Sequence, residues 1–251
     1  SCSLVGSEMC IRDSFNILNA NAALLIASLG MSIVMITGSI DISVGGVAAL
    51  VSMCCAVYLD HMGGNVVVSL LIAVGIGLAF GLVQGYLVAY LDIQPFIVSL
   101  AGMFFARGMT TIVHTNPFNV ENEAFVALKD TRVVVPGMGT VNRIGKYVDA
   151  YVEIGVIVAI LIVALLFFVL RYTKLGRGFY AVGGNRQSAL MLGINVKRTR
   201  FLAHLICGLL AGIGGYVYFL HVGSGAASHA TGMETVSYTH LRAHETAANL
   251  V

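Results

Sequence analysis

Charge is what this sequence has least of: 10% of its 251 residues are Asp, Glu, Lys or Arg, whereas 58% are hydrophobic. A soluble domain carries about 25% charged residues, so a water-solvated globule is a poor fit, and the mean hydropathy of +0.89 points to a chain solvated by lipid. Other absences narrow the function. No GxxxxGK[ST] motif occurs, and the glycines lie inside apolar runs rather than after a strand, which excludes the usual cradle for nucleotide phosphates. Outside residues 171–200 there is no basic patch interleaved with aromatics, so nucleic acid is not expected as a partner. Cys54, Cys55 and Cys207 sit in apolar runs with neither disulfide nor metal spacing, and read as small core hydrophobes. No metal site is expected.

What the chain does have is a series of apolar runs, each approaching the roughly 20 residues that cross a bilayer core. They cover 22–37, 47–59, 66–91, 96–113, 153–170 and 201–221. The expected fold is therefore all-α, a polytopic transmembrane helical bundle of about six spans. Asn16, Asn19 and Asn21 suit an interfacial start, and Pro95 fits the first turn of a helix, where its missing donor is not needed.

Orientation follows from residues 171–200. They hold seven of the fourteen Lys and Arg residues (Arg171, Lys174, Arg177, Arg186, Lys197, Arg198 and Arg200) and no Asp or Glu. Short loops rich in Lys and Arg stay in the cytoplasm, so this loop is expected inside. Threading back from it puts 92–95 inside and the long polar region 114–152, with charges of both signs and turn residues Pro136, Gly137 and Gly139, outside. The stretch GSIDISVGG, residues 38–46, then falls at the cytoplasmic end of two spans or is partly re-entrant, since irregular backbone at membrane depth needs protein or a water-filled cavity around it.

Polar residues inside the spans are the candidate pathway. Asp41 sits in a Gly-flanked break, where an ionisable group is expensive and is usually kept for a pathway or an ion pair; the alternative is a carboxylate capping the next helix. Ser43 is either that helix's cap or a solute contact. Gln84 could donate to a hydroxylated solute or hydrogen-bond between helices. Arg107 is close enough to the external end to snorkel, and His204 and His221 read as packed or interfacial histidines without partners. Gly77, Gly81 and Gly85 recur every four residues and line one face, as do Gly208, Gly212 and Gly215, which lets neighbouring backbones approach closely.

Both ends look foreign to this pattern. Residues 1–14 and 236–251 resemble translated sequencing adapter, and His240, Arg242, His244 and Glu245 crowd an end without apolar periodicity. The native part is expected to run from Phe15 to Thr235, as a fragment of a longer chain.

Three blocks carry a family resemblance: GSIDISVGG, then GLVQGYLVAYLDIQPFIVSLAGMFFARG (81–108), then LGRGFYAVGGNRQSALMLGINVKRTR (175–200). In this order and spacing they resemble the permease subunits of bacterial ABC importers for ribose, xylose, arabinose and galactofuranose, the middle block being most like the galactofuranose permeases. Ser39, Gln84 and Gln94 depart from the residues more usual in that family, which bears on the sugar carried. The resemblance implies an incomplete ABC importer permease fold in the bacterial inner membrane, with no catalysis of its own. It implies no cofactor on this chain, ATP bound by a separate ATPase subunit, a periplasmic sugar-binding protein, a second permease subunit and membrane lipid as partners. The function implied is import of a monosaccharide of pentose or galactofuranose class by alternating access. A secondary sugar transporter or a non-sugar ABC permease is the alternative.

The basic loop has its own local logic. Asn185 is a good N-cap for about two helical turns over 186–192, and Gly193 is a natural C′ terminator. Gly183 and Gly184 are expected to bend the chain into this helix, whose apolar side is Ala189, Leu190, Met191 and Leu192. Such a segment either lies on anionic headgroups or, as the resemblance implies, docks on the ATPase as a coupling helix.

Overall fold

The six apolar runs become six long helices in the computed structural model, which describes residues 2–129, 132–141 and 147–225. In chain order the elements are α1 (Cys2–Ile36), α2 (Val44–His61), α3 (Val66–Ala89), α4 (Pro95–Val113), β1 (Phe118–Asn119), α5 (Glu123–Lys129), β2 (Arg132–Val141), β3 (Tyr147–Glu153), α6 (Ile154–Tyr172), α7 (Lys174–Gly184), α8 (Arg186–Met191), α9 (Val196–Val222) and β4 (Ser224–Gly225). Phe15–Ile36 of α1, together with α2, α3, α4, α6 and α9, are each long and apolar enough to cross a membrane. Residues 2–14 run on as the first turns of α1, and the segment 236–251 lies outside the described residues.

Local chemistry sets the helix ends. Asn65 caps α3 by accepting from the Val67 amide at 3.0 Å, Pro95 occupies the first turn of α4, and Asn195 caps α9 by accepting from the Arg198 amide at 3.0 Å. At its far end α9 stops at Gly223, whose φ of 72° is the left-handed conformation that glycine adopts without steric cost.

Helix α9 is the centre of the bundle, with α1, α2 and α3 packed around it. The two glycine faces meet each other: a Cβ on Gly77 would collide with the Gly208 carbonyl, and one on Gly208 would come within 2.6 Å of the Gly81 Cα. Gly85 faces the Phe201 carbonyl and Gly212 faces Ala73 and Gly77. Gly215 instead turns toward Ala48 of α2. With no side chains between them, α3 and α9 approach backbone to backbone, which gives van der Waals contact where lipid offers no hydrophobic drive for helix association.

The elements sort into two ends. At one, Gly183 of α7 meets the Ile36 carbonyl and Asp92 pairs with Arg186 and Arg200. At the other, the rings of His61, His114 and Phe118 pack together, and Lys129 Nζ donates to the Val222 carbonyl at 3.2 Å. The expected alternation of spans is therefore present.

The polar region between α4 and α6 carries secondary structure of its own. Its described residues include β1, α5, β2 and β3; β2 pairs antiparallel with β3, and β1 with β4, which follows α9. Runs rich in β-branched residues favour strand, and the β2–β3 register shifts between Val135 and Thr140, where Pro136 and Gly137 interrupt the ladder. One difference from expectation is α7. Gly183 and Gly184 do not form the bend; they end a helix, and the chain turns at Asn185, which is extended with φ −154° and ψ 110°. Gly183 is required by its close approach to α1, whereas Gly184 faces open space.

Candidate functional site

The break between α1 and α2 turns back into the bundle. Gly30 of α1 lies beside Cys207 and Leu210 of α9, and Ile36 is six residues farther along, about 9 Å of helix. Yet Asp41 returns to the level of Cys207, whose thiol donates to Asp41 Oδ2 at 3.5 Å. The re-entrant alternative is the one the structure takes. Thr37, Ser39, Asp41 and Ser43 are all buried.

This turn gathers the three candidate pathway residues into one hydrogen-bonded cluster. Asp41 Oδ1 accepts from the Ser43 amide at 2.9 Å and from Ser43 Oγ at 2.6 Å. Gln84 Nε2, reaching from α3, donates to Ser43 Oγ at 2.9 Å. Ser43 Oγ also lies 3.3 Å from Gln84 Oε1, but a hydroxyl has one proton, and the shorter contact to a carboxylate takes it. Gln84 Oε1 thus keeps acceptor capacity. Ser43 occupies the N-cap position of α2, but its side chain makes no capping bond. Asp41 covers the Ser43 amide instead, and its charge sits at the positive end of the α2 dipole.

Gln84 is also the one polar residue among those lining an open groove of about 610 Å³ between α3 and α4, on the outer face of the bundle, with Phe80, Val83, Ile97, Ala101 and Phe105 on its walls. Gly102 of α4 presses against the Gln84 amide, and a Cβ there would overlap Nε2. Four spans therefore meet at the cluster: α2 through Ser43, α3 through Gln84, α4 through Gly102 and α9 through Cys207.

His204, one turn before Cys207, is buried, and its Nδ1 lies 3.0 Å from the Arg200 carbonyl. A carbonyl only accepts, so Nδ1 carries the proton. Ser39 Oγ is buried with no hydrogen-bond partner among the described residues. His204 is thus packed, as expected, whereas Cys207, expected only as a small core hydrophobe, donates to Asp41. His221, read as partnerless, pairs through Nδ1 with Glu153 Oε2 at 2.8 Å at the opposite end. Arg107 is half-buried on α4.

The basic end carries the other candidate element. Asn185 Oδ1 accepts from the Gln187 and Ser188 amides at 2.9 and 3.0 Å, starting α8, and Gly193 with φ 76° ends it. Ala189 does not belong to the exposed side as expected: it is buried with Val182 and Val196 and anchors α8 to α7 and α9. Leu190, Met191 and Leu192 are left 56%, 84% and 76% exposed. Beside them, Asp92 of the α3–α4 turn accepts from Arg186 Nη2 at 3.3 Å and from Arg200 Nη1 at 3.1 Å. The Arg186 guanidinium holds the Asp92 carboxyl below the usual carboxylate range. Asp92 has a φ of 53°, the left-handed region that besides glycine Asn and Asp adopt most readily. The turn that carries it is closed by the Ile93 amide donating back to the Leu87 carbonyl at 3.2 Å.

Known proteins place these features in a family. Residues 14–242 match the family model described as branched-chain amino acid transport system / permease component. A fructose import permease protein of Bifidobacterium longum is 31% identical over 85% of this chain and 61% of its own length. An inner membrane ABC transporter permease protein of Escherichia coli is 32% identical over 87% and 63%. The ribose import permease protein of Escherichia coli is 32% identical over 89% and 66%. The chain thus spans somewhat under two thirds of the length of these curated relatives. No solved structure gives a significant match. With six apolar helices among its described residues and a match over most of its length, the chain belongs to this family of permease components, whose relatives include sugar ABC importer permeases.

Proposed function

We propose that the chain is the main part of a permease subunit of an ATP-driven importer, moving a monosaccharide of pentose or galactofuranose class across the bacterial inner membrane. The observation that carries this reading is α8, a capped helix too short to bury its own apolar residues, which is fixed to the bundle by Ala189 and presents Leu190, Met191 and Leu192 outward from the most basic end of the molecule. An apolar helix tip on a rigid platform fits a groove on another protein, and a separate ATPase subunit is the partner proposed. ATP belongs to that subunit, since this sequence has no phosphate-binding loop. A periplasmic binding protein delivers the sugar at the opposite end, and a second permease subunit completes the pathway.

In this mechanism no bond of the solute changes. The buried Asp41–Ser43–Gln84 cluster supplies polarity where four spans converge, and the spare acceptor of Gln84 suits a sugar hydroxyl. Relatives named for ribose and fructose support the sugar class; both sugars close into furanose rings, as galactofuranose does.

The test is Leu190→Asp with Met191→Asp in the full-length permease, expressed with its ATPase and binding protein. Uptake of radiolabelled ribose and fructose should fall to background and the ATPase should no longer co-purify, while the permease still inserts in the membrane. Uptake and ATPase binding both unchanged would remove the reading.

A further inference from the structure

We infer that Asp92 is a positioning residue, the joint through which movement of α8 reaches the α3–α4 hairpin and, above it, the Gln84–Ser43–Asp41 cluster. The inference rests on α8 being the ATPase-docking helix. Three observations carry it.

The first is backbone. Asp92 has a φ of 53°, the left-handed conformation that among non-glycine residues Asn and Asp adopt most readily, so the turn carries a carboxylate acceptor where glycine would carry none. The second is the double contact. One oxygen, Oδ1, meets both Arg186, the first residue of α8, and Arg200 on α9. The two arginines differ in setting: the Arg200 side chain is 10% exposed and fixed by its helix, whereas that of Arg186 is 51% exposed on the short α8. A pair as open as Arg186–Asp92 adds little to stability. Its weakness suits a contact that has to be made and broken, and Arg200 is the anchor to which the turn returns.

The third is what lies above. Glycine packing binds α3 to α9 along Gly77, Gly81 and Gly85, so a pull on residues 90–94 is taken up by the turn and α4 rather than by α3. From Pro95, the first residue of α4, seven residues or about 10 Å lead to Gly102, the residue pressed on the Gln84 amide. Shifting α4 changes the room for Gln84, whose amide holds Ser43 and through it Asp41. Packed interfaces answer such shifts by switching between arrangements rather than by deforming smoothly.

Asp92→Asn is the decisive variant. It is isosteric, and asparagine tolerates the left-handed turn, so the fold should be kept. In the full-length permease reconstituted with its ATPase and binding protein, ribose moved per ATP hydrolysed should fall at least about fivefold, with complex assembly and unfolding midpoint at wild-type values. Arg186→Gln should give the same fall, and the double variant no further fall. An unchanged ratio in either single variant, or fold-changes that multiply in the double, would overturn the joint while leaving α8 docking intact. If the Leu190→Asp, Met191→Asp protein still binds its ATPase and transports, docking itself fails and the joint falls with it.

Discussion

Asp41 is held in an apolar interior by neutral donors: the Ser43 amide, the Ser43 hydroxyl and the Cys207 thiol. Hydrogen bonds to a charged acceptor contribute roughly 1.5–3 kcal/mol each, and orphaned buried donors cost a similar amount. Relief of carboxylate desolvation offsets part of this, so Asp41→Ala should destabilise by about 2–3 kcal/mol. Asp41→Asn, which keeps an acceptor at Oδ1, should lose less than half as much. Folded fraction along an SDS titration in mixed micelles measures both, and an Asp41→Ala midpoint equal to wild type would show that the cluster does not hold the turn. Asp41, Ser43 and Gln84 were legible in the sequence because a polar residue inside an apolar run is conspicuous. Cys207 was not, since a cysteine among apolar neighbours looks like any small core residue and its partner lies 166 residues away. Asp92 escaped for another reason. Its arginines are 94 and 108 residues distant, and no local pattern marks a left-handed aspartate.

Among the elements, α8 and the α3–α9 pair show what local rules reach. Asn185 and Gly193 marked both ends of α8 to within a residue, because caps are chemical signals that act within one turn. Helix α7 left no such mark, for its eleven residues include Gly176, Gly178, Gly183 and Gly184, and glycine disfavours helix. Tertiary contact overrides propensity there: Phe179 and Val182 are buried, and Gly176 and Gly183 lie against Leu170 and Ile36. The glycines of α3 divide by environment in a way that spacing alone does not foretell. Gly77 and Gly81 face α9, whereas Gly75 meets nothing within 4 Å. Gly75→Ala should therefore stabilise by roughly 0.5–1 kcal/mol through helix propensity. Gly208→Val, forced against Gly77 and Gly81, should destabilise by about 3 kcal/mol or prevent accumulation of folded protein. The SDS midpoint and the yield of monodisperse protein in detergent separate the two outcomes; equal effects would mean that the α3–α9 approach is not tight.

At the scale of the whole molecule, the large apolar side chains left outward have a single physical reading. Phe104, Phe105, Ile112, Leu161, Phe167 and Phe168 are exposed on α4 and α6, a surface that water would penalise but lipid tails would not. Solvation by a bilayer then requires the two ends of the bundle to lie in different aqueous phases, and charge decides which is which. The end formed by the last turn of α6, α7, α8 and the start of α9 carries Arg171, Lys174, Arg177, Arg186, Lys197, Arg198 and Arg200, and on the function proposed above it faces the cytoplasm. The end with α5 and the β2–β3 pair mixes both signs and, on the same proposal, faces outside. Single reporters on a background without native cysteines test this, with Cys207→Ser chosen there because serine keeps a donor for Asp41. Ser188→Cys, beside the exposed tip of α8, should react with an impermeant maleimide only in inside-out vesicles. Glu123→Cys, at the start of α5, should react only in right-side-out vesicles. The opposite pattern would place α8 away from any cytoplasmic ATPase, and labelling of both sites from one side would contradict the alternating path of the spans.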